Sequence, residues 1–399
     1  MFPTQQLRHL AQIRNGMDHS KVQDDSGAYP VYGSGGRFTS ASSPLFCGPA
    51  VLLGRKGTID KPLLVDGNFW TVDTMFCAQP HKQVDPRFLY YACTTIKFDM
   101  LSTSTALPSM TQTDLKAVRL PAPDFDTQIE VSAFLDRETT KIDALIAKQE
   151  QLIGMLRENR ASTISKAVTR GLDPEVSTVV SDVAWLGSTP VHWRERRLKH
   201  VIDRIDSGTS VNGSDIPASA DEIGVLKTSC VSRGQFQPDA NKTVIDEDLG
   251  RITCQVKADS LIVNRANTPS LVGSAGYVGS PYPNLYLSDK LWQVTFDTAL
   301  AEFVYYWTQT EIYRSQIAAN CVGASFSMQN LSMADFRNIS ISIPPVDEQK
   351  AIVKHLAEFL KSVDTLVAKS TDMIATLREY RFTLITDAVT GKIDVRGVA

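Results

Sequence analysis

From Leu135 to Leu156, and again from Leu356 to Leu384, apolar residues return at the three- and four-residue intervals of an α-helix, with charged residues between them. Leu135, Ile142, Leu145, Leu152 and Leu156 fall on one 3.5-residue seam, and Leu356, Val363, Leu366, Met373, Leu377 and Leu384 do the same in the second stretch. Ile146, Ile153 and Ile164, with Val367, Ile374 and Ile385, lie beside the seams and widen each stripe. One partner helix does not cover a stripe that wide, so a further packing surface is expected. Pro123 and Pro344 halt the chain ahead of each helix, and Asp126 and Asp347 are placed as N-caps. Gly171 and Gly391 follow the last apolar turn, where a left-handed residue ends a helix. About 43 helical residues at 1.5 Å rise make a rod of roughly 64 Å, a length that calls for a paired helix.

The two stretches are one helix present twice. Asp126 to Asp173 laid without a gap on Asp347 to Asp394, 221 positions further on, gives 17 identities in 48 columns. They include Asp143/Asp364, Gln128/Gln349, Leu156-Arg157-Glu158/Leu377-Arg378-Glu379, Arg160/Arg381 and Ala167-Val168-Thr169/Ala388-Val389-Thr390. Chance does not produce that over an ungapped helix. The segments ahead of each copy are alike in composition and different in sequence. The expected division is therefore a first α/β domain over 1–122, a first long helix over 123–174, a second α/β domain over 175–343 and a second long helix over 344–399. Constant parts of this kind suit a frame, and variable parts suit a choice of what is bound.

Within the variable blocks the pattern is mixed α/β with glycine turns. Val31-Tyr32-Gly33-Ser34-Gly35-Gly36-Arg37 is a strand running into a tight loop, and Ala50 to Ile59 is a buried strand ending in a basic, glycine-flanked turn. Ser260 to Asn267 repeats that second pattern, with Arg265 where the first block has Arg55. Phe88 to Thr95 is expected to be a short helix, Ala301 to Ala319 its counterpart, and Leu291 to Phe296 a strand. Phe2, Leu7 and His9 match Trp193, Leu198 and His200 in spacing. The lead Trp185-Leu186-Gly187-Ser188-Thr189-Pro190-Val191-His192-Trp193 is present only once.

Composition changes this picture little. A chain of 399 residues with 43% hydrophobic content has room for two cores. The start of the chain has no apolar stretch of signal-peptide length, and no segment nears the ~18 apolar residues of a membrane helix, so a cytoplasmic protein is expected. Six scattered cysteines, with no C-x-x-C pair, read as reduced and mostly buried thiols. The net charge of −3 neither supports nor excludes a nucleic-acid partner, because phosphate affinity depends on how cations are gathered on one face. No phosphate-binding G-x-x-x-x-G-K-[ST] loop, dinucleotide fingerprint, methyltransferase N-P-P-[YF] tetrapeptide, nucleophile triad or metal set is legible. Glu348-Gln349-Lys350 reads as helix capping rather than half of a nuclease motif.

The doubled helix, the Pro-Pro-Val-Asp-Glu-Gln turn that enters its second copy, the Trp-Leu-Gly-x-x-Pro-x-His-Trp lead and the Tyr-Gly-Ser-Gly-Gly and Gly-Arg-Lys-Gly-Thr-Ile segments together resemble the specificity subunit of type I restriction-modification systems. The resemblance covers nearly the whole chain. It departs from the pattern where the first block lacks the lead and where Thr127 stands in place of Glu348. It implies two target-recognition domains, each reading one half of a split double-stranded DNA sequence, and two long antiparallel coiled-coil helices in a pseudo-twofold repeat. The helices would hold the domains apart and dock two modification (methyltransferase) subunits, which restriction (translocase-nuclease) subunits would join. S-adenosylmethionine, ATP and Mg²⁺ would sit on those partners, with no cofactor on this non-catalytic chain. Two other readings stay open: a protein-only coiled-coil adaptor, and a stand-alone nuclease with a cryptic site. Glycine lets backbone approach phosphate while arginine reaches guanine edges, so the candidate DNA contacts are Ser34, Arg37, Arg55 and Lys56 in the first block and Lys227, Arg233, Asn264, Arg265 and Lys290 in the second. For each, a solvated surface side chain is the alternative.

Overall fold

The computed structural model describes residues 1–101, 109–325 and 328–395. Compactness divides the chain into unit 1, Met1–Leu152 with Lys369–Ala399, and unit 2, Ile153–Ala368. Each unit thus holds one variable block together with a portion of both long helices, so the spatial grouping cuts across the linear one.

The two variable blocks carry one topology. In unit 1, strands β1 (Ala11–Asn15), β2 (Ala50–Gly54), β3 (Leu63–Val65) and β4 (Met75–Pro80) form an antiparallel sheet in the order β1-β4-β2-β3. In unit 2, β5 (Ile202–Ser207), β6 (Ser260–Asn264), β7 (Ala275–Val278) and β8 (Leu291–Phe296) take the same order, β5-β8-β6-β7. Register makes Gly54 opposite Met75 the counterpart of Asn264 opposite Leu291. Both β2 and β6 are buried along their whole length, which is why they read as apolar runs rather than as alternations. A second sheet repeats as well. Strands 36–41, 29–33, 68–71 and 46–47 of unit 1 follow the order of 241–244, 224–226, 282–286 and 255–256 of unit 2, which adds an edge strand at 213–214.

Short helices close these sheets. Unit 1 has α1 (Pro86–Thr94) and α2 (Gln112–Ala117), and the long helix α3 runs Phe125–Arg170. Unit 2 has α4 (Ala301–Trp307), α5 (Glu311–Asn320) and α6 (Met333–Asn338), and the second long helix α7 runs Val346–Thr390. The single helix expected over Ala301 to Ala319 is two, because Thr310 accepts from Tyr313 N and so starts a new helix where the first ends. The expected caps Asp126 and Asp347 are corrected too: both lie inside the first turn, where the helix dipole favours a carboxylate. In α3 the capping bonds are made by Asp124, which accepts from Thr127 N at 2.9 Å and from its hydroxyl at 2.9 Å. Gly171 and Gly391 end the helices at φ +76° and +70°, as their spacing implied.

Inside each unit the two long helices run antiparallel. In unit 1, Asp143 faces Arg381 (2.9 Å) and Glu150 faces Arg378 (3.1 Å); in unit 2, Arg160 faces Asp364 at 2.6 Å. The seam differs from the expected one. Leu145, Leu152, Leu366 and Met373 are 48, 36, 48 and 50% exposed, whereas Ile146, Ile153, Val367 and Ile374 turn inward with Ile142 and Val363. Only the rotation that seats those β-branched residues also carries Arg160 and Arg381 to their aspartates, and the rotation that would bury the leucines makes neither ion pair.

The further packing surface expected from the wide stripes is the domain core itself. Val131, Leu135, Ile385, Ala388 and Val389 join the core of unit 1, and Ile164, Ala167, Val168, Ile352, Leu356 and Leu360 join that of unit 2. Each such side chain contributes about 1.5–3 kcal/mol when fully buried. Cys77, Cys93 and Cys230 lie in the interior, where burial pushes their thiols to about 12, so they stay protonated at neutral pH.

A repeated glutamine staples each block to its helix. Gln128 Oε1 accepts from Asp85 N (2.9 Å), the N-cap residue of α1, while Nε2 donates to Pro123 O (2.9 Å). Gln349 Oε1 accepts from Leu300 N (2.8 Å), which precedes α4, while Nε2 donates to Pro344 O (2.9 Å). Both glutamines are buried, so removing the amide leaves a backbone donor and an acceptor without partners. Gln349→Ala and Gln128→Ala are each expected to lower stability by about 1–3 kcal/mol. Urea unfolding followed by circular dichroism measures this, and a variant with the parental midpoint would remove the staple.

Candidate nucleic-acid interface

The end of each central sheet is built the same way. After β2, Arg55 N donates to Thr74 O (2.8 Å), Arg55 O accepts from Met110 N (3.0 Å), and the guanidinium Nη1 donates to Asp73 O (3.3 Å). After β6, Arg265 N donates to Lys290 O (3.0 Å), Arg265 O accepts from Leu331 N (2.9 Å), and Nε donates to Asp289 O (2.7 Å). Two domains of unlike sequence thus hold an arginine at one place, with its stem half-buried and its head tethered to the carbonyl of an aspartate. The remaining guanidinium nitrogens have no hydrogen-bond partner among the described residues. A planar fork held at its base with donors to spare can bind two acceptors side by side, on a phosphate or a guanine edge.

Other predicted residues gather at these ends. The hairpin that carries Ser34 closes over the turn after Arg55, since a Cβ placed on Gly57 would stand 3.4 Å from Ser34 Oγ. Lys56 is exposed beside it and bridges to Ser109. Arg37 lies exposed on the outgoing arm of the hairpin and donates to Ser40 Oγ (3.2 Å). In unit 2, Lys290 is exposed next to Arg265. Sheet register makes Lys227 the counterpart of Ser34, each being the first residue after its central strand, but the Lys227 ammonium is paired with Asp215 (3.2 Å).

Two predicted residues sit elsewhere. Arg233 is exposed on a turn tied to α4, where Tyr305 Oη donates to Gly234 O (2.8 Å), and the neighbouring Gln235 lines a cleft of about 610 Å³ with Arg160, Leu360 and Asp364. That cleft belongs to the long helices, not to the arginine-bearing sheet end. Asn264 is corrected: it is fully buried, its Oδ1 accepting from Ala266 N (3.3 Å). The run Val263-Asn264-Arg265 alternates faces, so exposing the arginine turns the asparagine inward.

The sequence gave no sign of the loop that follows Arg265. Residues 268–273 are tied from behind by α5: Arg314 Nη1 donates to Val272 O (2.7 Å), Arg314 Nη2 to Ser270 O (3.0 Å), and Tyr313 Oη to Gly273 O (2.7 Å). Burial holds the Tyr313 hydroxyl well above the usual range, so it remains a donor at any physiological pH. The Thr268-Pro269-Ser270 turn was a legible clue, but an arginine some 40 residues downstream was not.

The singly present lead is explained by its contacts. Glu348 accepts from Trp193 Nε1 (3.1 Å) and pairs with His192 Nε2 (2.7 Å), while the Trp193 ring packs where a Cβ on Gly171 would lie. In unit 1 a Phe2 ring covers Gly391, and Phe2 N donates to Thr390 O (2.9 Å). Phenylalanine has no donor for a carboxylate, so Thr127 can stand where Glu348 does. Among the described residues no group of three His, Cys, Asp or Glu side chains is placed to hold a metal, and no helix is long and apolar enough to cross a membrane.

A duplicated α/β domain with an arginine-bearing end on each copy, set on paired long helices, is the architecture to be matched. A family model described as the type I restriction modification DNA specificity domain matches residues 3–153 and 190–374, and the chain belongs to that family. It is 21% identical over 355 residues to the specificity subunit of the type I restriction enzyme MjaVIII of Methanocaldococcus jannaschii, covering 87% of this chain and 77% of the relative. To the EcoEI specificity subunit of Escherichia coli it is 26% identical over 183 residues, 45% of this chain but only 31% of that one. Among solved structures, a chain from a study of complex assembly and conformational transition of the type I R-M system superposes with a TM-score of 0.70 at 14% identity, over 98% of this chain and 100% of that one. The HsdS subunit of Thermoanaerobacter tengcongensis gives 0.51 at 16%, over 98 and 97%. These two likenesses show the fold.

Proposed function

We propose that this chain is the non-catalytic specificity subunit of a type I restriction-modification complex and that its two units each read one half of a bipartite double-stranded DNA target. The observation that carries this reading is the shared setting of Arg55 and Arg265, the same tethered fork at the same sheet end in two domains whose sequences otherwise diverge. A constant anchor among variable neighbours suits two readers of different sequences. Ser34, Arg37 and Lys56 would contribute beside Arg55, and Lys290 beside Arg265, to phosphates or base edges. Lys227 would first have to leave Asp215.

The long helices support the other half of the proposal. In unit 1, Leu145 and Leu152 on α3, and Met373 and Tyr380 on α7, are 48, 36, 50 and 57% exposed. Leu145 precedes the inward Ile146, whereas Asp143 follows the inward Ile142, so the exposed apolar residues flank the seam on the side away from the ion pairs. An apolar stripe of this kind on a polar helix pair fits a partner helix, and a modification subunit is its proposed occupant. S-adenosylmethionine, ATP and Mg²⁺ would be supplied by the modification and restriction subunits. The long helices would act as a ruler, setting how many unread base pairs separate the half-sites.

Two measurements test this. Arg55→Ala is expected to relax selection at one half-site only and Arg265→Ala at the other, each losing about 1–3 kcal/mol of discrimination at the affected base pair. Sequencing of methylated bases in cells that express the chain with its modification subunits reads the outcome, and an unchanged motif in both variants would sink the assignment. Deleting seven residues from one long helix shortens it by about 10 Å, or roughly three base pairs. The spacer is expected to shorten, or binding to be lost, with each half-site still readable; an active variant with the parental spacer would refute the ruler.

A further inference from the structure

We propose that the loop from Asn267 to Val272 in unit 2 is a preshaped specificity element for the second half-site, and that Arg314 is the positioning residue that holds it in its reading conformation. This rests on the DNA-reading proposal above and names residues it leaves unassigned.

The loop follows Arg265 by one residue and is ordered from within and behind. Leu271 N and Val272 N both donate to Thr268 O (2.9 Å each), Ser274 Oγ donates to Leu271 O (2.7 Å), and Gly273 N donates to Asn264 O (2.7 Å). Arg314 then spans the inner side, donating to Val272 O (2.7 Å), Ser270 O (3.0 Å) and Pro269 O (3.4 Å). Gly273, at φ +75°, leaves no room for a side chain, because a Cβ would lie 2.8–2.9 Å from Ile317. Exposed loop carbonyls ordinarily find water, so three of them drawn onto one guanidinium fix a shape that solvation alone would not.

The outer side is polar. Pro269 and Ser270 are exposed, and Asn267 and Thr268 are half-buried. Asn267 Oδ1 is taken by Thr268 N (2.8 Å), while its Nδ2 has no partner among the described residues. Short side chains carrying hydroxyl and amide groups, set next to a free arginine fork, offer donors and acceptors to base edges. Ordering such a loop before DNA arrives removes the entropy that would otherwise oppose binding. Unit 1 has no equivalent brace: the stretch after α1 there is a single 3₁₀ turn, Phe98–Met100. The device is therefore specific to the second half-site.

The test uses the full chain assembled with its modification subunits, selecting from a randomised duplex library, with the half-site altered by Arg265→Ala as the reference. Arg314→Met is expected to lose about tenfold discrimination at base pairs flanking the one read through Arg265. Arg314→Lys should fall between, since an ammonium cannot span three carbonyls. Asn267→Ala should change the preferred base without loosening the loop. The half-site read through Arg55 should keep its letters in all three. Amide hydrogen exchange at residues 270–272, measured without DNA, should quicken in Arg314→Met but not in Asn267→Ala. If the parent selects a bipartite motif while Arg314→Met and Asn267→Ala leave both half-sites unchanged, the loop is not a reader. If exchange is unaltered, or if discrimination falls equally in both half-sites, Arg314 is not its positioning residue. A parent that selects no bipartite motif overturns the functional reading itself.

Discussion

Rotation of a long amphipathic helix about its axis decides every surface it presents, and here that rotation is set by one ion pair made twice. Arg160 with Asp364 in unit 2 and Arg381 with Asp143 in unit 1 are the same two positions of the repeat with their helices exchanged. The aspartates are more than half exposed, so the pairs contribute little stability, on the order of 0.2–1 kcal/mol each. Their effect is selective. Both candidate rotations bury comparable aliphatic surface, so a small term that only one of them gains is enough to choose between them. From that choice follow the inward Ile146 and Ile153, the outward Leu145 and Leu152, and the entry of Leu135 and Ile385 into a domain core.

The second constraint is that each block must hold one attitude on its helix while its sequence drifts. Backbone groups at the junction serve this better than side-chain contacts, because they survive substitution of the residues that carry them. Leu7 N donates to Val118 O, and Leu198 N to Ile339 O, at equivalent places. Gln128 and Gln349 bond only to main-chain atoms. The repeat therefore keeps its glutamines while the residues they touch differ, Asp85 in one unit and Leu300 in the other.

Much of the frame was legible because it rests on periodicity and punctuation. The helix limits, the glycine stops, the buried strands at Ala50 and Ser260 and the kinship of the two blocks all follow from spacing. The seam was not fully legible, since Leu145 and Ile146 are adjacent and apolar, and hydrophobicity alone does not rank them. Nor was the break between α4 and α5, where a threonine cap overrides a continuous apolar run. At the candidate interface, Arg55 and Arg265 were visible as glycine-turn or post-strand cations. Asn264 was misplaced because its strand alternates through the exposed arginine. Arg314 was invisible, because a long side chain that returns to an earlier loop leaves no local pattern.

The asymmetry between the two junctions shows how such a duplicated chain diverges without losing its frame. The helix-ending glycine needs an aromatic cover in both units, Trp193 in one and Phe2 in the other. Trp193 brings an indole N–H, and a half-buried donor requires an acceptor; Glu348 supplies it and also pairs with His192. Phe2 brings no donor, and a glutamate in its neighbourhood would have a carboxylate with less to bind. Thr127 avoids that and donates to Asp124 instead. The lead and the glutamate are thus one change in two places, so the difference between the copies reflects a local polar balance and leaves the shared seating of domain on helix intact.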